Sequence, residues 1–301
     1  MSETTYTVSP LTQRLSYKTV RRKMIDVLIA LLPATAVGVY YLKMQALLII
    51  LVSVLTCVIT EAAWQKIYHQ EIRIGDFSAV VTGLLIALNL PSTVPLWIPV
   101  AGGIFAIIFV KQVFGGIGQN FMNPALAARA FLLAAWAGPM SKTAVDAGSS
   151  ASQKVLTLME TFKGPIGVYI GELSVAALLI GGLYLVIRRV ITLRVPLAYV
   201  GTVFVMSWML GEKGFATGDP VRGILSGALM IGAFFMATDP STCPTTAVGQ
   251  YVMGIGCGIL TSIFSIYGHN PEGFVYAILI MNLVAPLIEK YTTPKKHGEV
   301  A

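Results

Sequence analysis

About ten apolar runs, separated by short polar loops, constrain this chain more than any other feature. They cover residues 24–41, 46–64, 78–90, 96–113, 123–136, 173–187, 196–210, 224–237, 251–267 and 273–288. Crossing a bilayer core takes about 20 residues of helix. The third and eighth runs fall clearly short and are expected not to cross alone. Hydrophobic residues make up 55% of the chain and charged residues 12%, too little polar surface for a water-soluble protein of 301 residues. The expectation is an all-α membrane protein with about ten transmembrane helices.

The net charge of +7 does not point to nucleic acid, because the basic residues sit in short loops and not in a stripe interleaved with aromatics. Their distribution instead orients the chain. With the N-terminus in the cytoplasm, Arg14, Lys18, Arg21, Arg22, Lys23, Lys66, Arg73, Lys111, Arg188, Arg189, Arg194, Lys290, Lys295 and Lys296 fall inside. Only Lys43, Lys142, Lys154, Lys163, Lys213 and Arg222 fall outside, and Arg129 lies within the fifth run. The excess favours both termini being cytoplasmic. Residues 1–23 are polar and lack the short apolar core and small-residue site of a cleaved leader, so the first helix is expected to remain as an anchor.

The chain also repeats itself. Pro91-Ser92-Thr93-Val94-Pro95 follows the third run and Pro240-Ser241-Thr242-Cys243-Pro244 follows the eighth, while Asn123-Pro124 before the fifth run matches Asn270-Pro271 before the tenth. Five helices per half is odd, so the halves, 24–136 and 173–288, are expected to insert as inverted repeats. Short, proline-interrupted helices at matching positions mark ion or solute paths near the midplane. Thr93, Thr238 and Asp239 are the polar residues placed at those breaks. A loop at 137–172 joins the halves on the outer face, and 289–301 forms a cytoplasmic tail.

Asp26, Glu61, Arg129 and Asp239 lie within or beside apolar runs. Snorkelling to an interface is expected for Asp26 and Glu61; Arg129, about two turns into its run, is expected to face protein. Cys57, Cys243 and Cys257 have neither zinc nor iron–sulfur spacing and read as small buried apolar residues. Gly115, Gly116 and Gly118 form a turn with no preceding strand, which excludes a dinucleotide loop. His69, His269 and His297 are scattered and form no catalytic set.

The outer loop contains Asp146-Ala147-Gly148-Ser149-Ser150-Ala151-Ser152, by itself a small, polar linker. The stretches Val20-Arg21-Arg22-Lys23-Met24, Gly116-Ile117-Gly118-Gln119-Asn120-Phe121-Met122-Asn123-Pro124-Ala125 and Phe235-Met236-Ala237-Thr238-Asp239-Pro240 carry a resemblance over residues 8 to 290. The chain resembles the RnfD family, a membrane component of the Rnf complex, the ion-translocating ferredoxin:NAD oxidoreductase. It is similar also to the related membrane component of the sodium-pumping NADH:quinone oxidoreductase. That resemblance implies a bacterial or archaeal cytoplasmic membrane, and further membrane and peripheral subunits as partners. It implies FMN esterified to a loop hydroxyl by a separate flavin transferase, within a motif of aspartate, two residues, serine or threonine, one residue, alanine and threonine. Here Asp146, Ser149 and Ala151 match. Ser152 stands in place of the final threonine, and Gln153-Lys154 in place of a usual proline-leucine. Serine offers the same oxygen nucleophile. The resemblance further implies a second, non-covalent flavin such as riboflavin near Asn120 and Asn123, which could equally be helix caps. A secondary transporter or channel without redox chemistry fits the repeat as well, and a structural scaffold for partner subunits gains weight if Ser152 is unmodified.

A cysteine placed at Thr143 should react with an impermeant thiol reagent in intact cells, and one placed at Lys66 should not. Labelling in the reverse pattern contradicts this orientation.

Overall fold

The computed structural model describes residues 17–141, 169–211, 214–215, 220–224, 227–266 and 273–294. The loop residues Asp146, Ser149, Ala151 and Ser152, and the Asn270-Pro271 pair, lie outside them. The described chain is helical apart from a small hairpin, β1 (Leu210–Gly211) antiparallel to β2 (Gly214–Phe215).

α1 (Tyr17–Ile67) carries the first two apolar runs and is interrupted at Lys43, whose φ of 52° and ψ of −132° are not helical. A straight helix would hold Arg21 about 69 Å from Ile67. Yet the Arg21 guanidinium lies 5.6 Å from the ring of Phe77, only ten residues beyond Ile67. The two arms therefore fold back on one another as a hairpin. Together with α10 (Ala247–Ile266) and α11 (Gly273–Thr292), they are the described helices long and apolar enough to cross a membrane.

The remaining helices are shorter. α2 (Ser78–Leu88) rises only about 16 Å, roughly half of a bilayer core of about 30 Å. Ten of its eleven residues are buried, so this helix is enclosed by protein on all sides. α3 (Trp97–Phe105) continues as a π-helical turn over Ala106–Gln112. Positive φ at Gly115, Gly116 and Gly118 then turns the chain into α4 (Pro124–Ala135), as the glycine spacing predicts. α5 (Ala137–Ser141) leads into the loop, and a 3₁₀ turn at Ile170–Glu172 ends it. α6 (Val175–Ile187), α7 (Arg194–Met209), α8 (Pro220–Ile224) and α9 (Gly227–Ile231) follow, α9 running into a second π-helical turn at Gly232–Met236.

Both broken runs end within the protein, and they end at each other. Asn89, the residue after α2, places its Nδ2 3.8 Å from the sulfur of Met236, the last residue of the second π turn. Leu88, Ile98, Leu126, Ile231 and Ile278 are buried in one hydrophobic core. The outer surface is apolar: Leu32, Ile59, Ile180 and Leu197 are each about 60% exposed, as lipid-facing positions must be.

Close helix approach depends on two glycines. A Cβ on Gly83 would stand 2.7 Å from the Cα of Val54, and one on Gly181 would stand 2.0 Å from the carbonyl oxygen of Ala30. Gly181→Ala should push α6 off α1 and cost about 1–3 kcal/mol, read as a lower unfolding temperature in detergent. Gly201→Ala on α7 meets nothing within 4 Å and should leave that temperature unchanged.

Candidate functional site

The polar chemistry gathers at the end of the molecule that holds Arg21, Phe77 and the glycine turn. Asn123 caps α4. Its Oδ1 accepts from the amides of Ala125 and Leu126 at 3.0 and 3.2 Å, and Pro124 stands at the first helical position, where a missing N–H costs nothing. Its own amide donates to Oδ1 of Asn282 on α11 at 3.0 Å, and its Nδ2 reaches the Met236 carbonyl at 3.5 Å. The side-chain carbonyl of Asn123 is thus spent on the helix. That of Asn120 is not: Asn120 is 7% exposed and its Oδ1 has no hydrogen-bond partner among the described residues.

Asn120 and Asn123 line one cleft with Thr238, Asp239, Ser78 and Lys111. The cavity volume is about 70 Å³, room for a few waters and far below the roughly 300 Å³ at which sites for organic ligands begin. The Asn120 carbonyl suits a ring N–H donor, but the cleft in this conformation does not accept a tricyclic ring. Thr238 bonds back to the carbonyl of Phe234 at 2.7 Å. Asp239 folds its carboxylate onto Ser241, accepting from its amide at 3.2 Å and its hydroxyl at 2.9 Å, which shapes the start of the second break. Thr93, exposed at the first break, does not join this cleft. Cys243, in the second break, is a buried free thiol.

Beside the cleft lies a charged network that the sequence does not disclose. Lys111 and Glu61, each 2% exposed, pair at 2.7 Å. Lys111 Nζ also donates to Ser78 Oγ at 2.6 Å, and that hydroxyl donates to Asp76 Oδ1 at 2.6 Å. Gln112 Nε2 donates to the other Glu61 oxygen at 3.0 Å. A second cavity of about 340 Å³, lined by Glu61, Asp76, Gln112, Gly115 and Arg73, opens on the far side of this network and shares Ile117 with the first. Two expectations are corrected here. Glu61 does not snorkel, because a cation fifty residues away neutralises it in place. Lys111 is not a loop cation, because the π turn carries it into the core. Asp26 does not snorkel either: at 5% exposure it accepts from Tyr184 at 3.0 Å and from Arg188 at 3.2 Å, both on or next to α6.

Arg129 faces protein, as its depth in the run requires. It is 1% exposed, donates to Asn89 Oδ1, pairs with Glu172 at 3.6 Å, and lies 4.1 Å from the Tyr169 ring and 4.9 Å from the Phe274 ring. Asn89, Glu172, Asn282 and Lys111 were not singled out from the sequence. The available signal was a polar residue at the edge of an apolar run, the same signal that singled out Asp239.

The NQR2, RnfD, RnfE family matches residues 7–298. The chain belongs to that family. It is 46% identical to the D component of the Na(+)-translocating ferredoxin:NAD(+) oxidoreductase complex of Acetobacterium woodii, over 91% of this chain and 90% of the relative. It is 39% identical to the D component of the proton-translocating ferredoxin:NAD(+) oxidoreductase complex of Clostridium ljungdahlii, over 93% and 92%. With the D component of the ion-translocating oxidoreductase complex of Methanosarcina acetivorans it shares 36% identity over 99% of each chain. Relatives named for sodium and for protons both align across nearly the whole length.

Lys111→Met would leave the Glu61 carboxylate buried without its cation and should cost about 3–5 kcal/mol. The double variant Lys111→Met, Glu61→Leu should recover most of that loss. Chemical unfolding of the purified chain in detergent checks both.

Proposed function

We propose that this chain is a membrane subunit of a redox-driven ion pump that couples electron transfer between ferredoxin and NAD to movement of Na+ or H+. It is a subunit of an oxidoreductase and is not catalytic alone. The single observation that carries this reading is 46% identity across nine-tenths of both chains to a subunit of such a complex. Supporting it, the chain is a multi-pass membrane protein with half-length helices that end against each other in its interior. Disrupting the gene should abolish ferredoxin-dependent NAD reduction by membranes, and supplying the chain should restore it. Membranes that keep the activity without the chain would refute the assignment.

The scale of the coupling is physically adequate. Moving one charge against 100 mV takes about 2.3 kcal/mol. For a two-electron couple, about 30 mV corresponds to about 1.4 kcal/mol, so a drop of roughly 50 mV balances one ion.

Within this assignment the two halves are inverted repeats, and the Arg21 end faces the cytoplasm, since basic residues concentrate there. The loop then lies on the outer face with FMN esterified at Ser152 by a flavin transferase, Asp146, Ser149 and Ala151 being the residues the transferase reads. When attached, FMN supplies one- and two-electron transfer chemistry; the chain supplies the hydroxyl and its small-residue neighbours. A second, non-covalent flavin at Asn120 would require the cleft to widen several-fold. A phosphoester survives denaturation, so the denatured chain co-expressed with its transferase should fluoresce on a gel under ultraviolet light. Ser152→Ala should abolish the band, Ser152→Thr should keep or strengthen it, and Ser149→Ala should weaken it. A dark band from the unaltered chain, with the transferase active on another substrate, removes covalent flavin from this subunit.

A further inference from the structure

We infer that Arg129 is a positioning residue: its guanidinium holds Asn89 at the end of the first broken helix, Asn89 touches the end of the second, and ion movement stays coupled to electron flow only while that tie carries its positive charge. The inference rests on the assignment of the chain to a redox-driven ion pump. The contacts form a closed triangle. Asn123 and Arg129 lie six residues apart on α4, about 9 Å along its axis. Asn123 reaches the Met236 carbonyl at the end of the second broken helix, and Arg129 donates to Asn89 at the end of the first. Asn89 in turn touches Met236, closing the set.

The same guanidinium reaches the segment that follows the outer loop. It pairs with Glu172 and stacks on Tyr169, while the amide of Ile170 donates to the carbonyl of Leu90 at 3.1 Å and Tyr169 bridges to Pro91. Phe274, at the start of α11, covers its other side. One cation therefore touches the first break, the exit of the loop and the last long helix.

Charge is the point of this arrangement. A helix C-terminus carries negative partial charge and favours a cation. Here two such ends meet in an apolar interior, which makes their junction the place in the fold most attractive to a transported cation. Arg129 already supplies that charge. Between the cleft residues Thr238 and Asp239 and the break that holds Thr93, the chain of contacts runs through Met236, Asn89, Arg129, Tyr169 and Pro91. An ion following that line cannot pass without a change in the Arg129 contacts, and a change in those contacts moves both breaks and the loop exit together. Coupling between distant sites requires an element with two arrangements, and the inference assigns that part to the Arg129 contacts.

The test is made on the whole complex, reconstituted in liposomes, by measuring both the rate of ferredoxin-driven NAD reduction and the ions taken up per electron. Arg129→Lys keeps the charge and should hold the ratio within about twofold. Arg129→Met keeps length and apolar bulk without charge, and should lower the ratio about fivefold while electron transfer continues. Equal ratios for the Lys and Met variants would show a packing role and overturn the inference. Asn89→Ala removes the hydrogen bond from Arg129 to the first broken helix and the contact of that helix end with Met236, but leaves Arg129 paired with Glu172. It too should lower the ratio, and an unchanged ratio in that variant overturns the inference. An electron-transfer rate that does not depend on this chain at all would instead sink the assignment on which the inference rests.

Discussion

A bilayer core offers no water to an unpaired backbone group, so every interruption of a membrane helix must be satisfied by the protein itself. Most of this architecture follows from that constraint acting on two short helices. α2 stops at Leu88, and the carbonyl of Leu90 beyond it accepts from Ile170, on the segment that returns from the loop. The second broken helix stops at Met236, and its carbonyl receives the side chain of Asn123. Further along the second break, Thr242 and Cys243 donate their amides to Asp239, while the amide of Thr245 donates to the buried carboxylate of Glu289 on α11 at 2.8 Å. Each break is thus held by elements distant in sequence, and those elements are drawn together because the breaks exist.

Buried charge obeys the same logic. An uncompensated ion at the bilayer centre costs at least about 2.5–3.5 kcal/mol, and the described interior holds several. None of those whose contacts are resolved stands alone. Lys111 and Glu61 neutralise each other, Asp26 is met by Arg188 and Tyr184, and Arg129 is met by Asn89, Glu172 and two aromatic faces. Such pairs contribute little net stability compared with apolar packing of the same volume.

Much of the fold was legible in the sequence because hydrophobicity and helix length are local properties. The ten apolar runs correspond to helices within a few residues, the joint between the first two falls at Lys43, and the glycine turn at Gly115–Gly118 adopts the positive φ its composition requires. The short third and eighth runs are short helices in the structure. Asn123 as a helix cap was legible for the same reason, since Asn-Pro before an apolar run is a local start signal. Snorkelling of Asp26 and Glu61 was the wrong expectation because it treats each charge with its own helix alone. Their partners lie 162 and 50 residues away in sequence.

By itself the sequence determined that this chain lives in a membrane, roughly where its helices lie, and that two of them break at matching Pro-Ser-Thr segments. These follow from transfer free energies and backbone chemistry that each segment carries within itself. Only the tertiary structure decided that the two breaks meet, that Asn120 and Asn123 share a cleft with Thr238 and Asp239 while Thr93 stands apart, and that Arg129 is fastened to Asn89 and Glu172. Those pairings depend on which buried polar group finds which partner once the helices have packed. In an apolar interior that choice is made by geometry across the whole fold, and no stretch of sequence contains it.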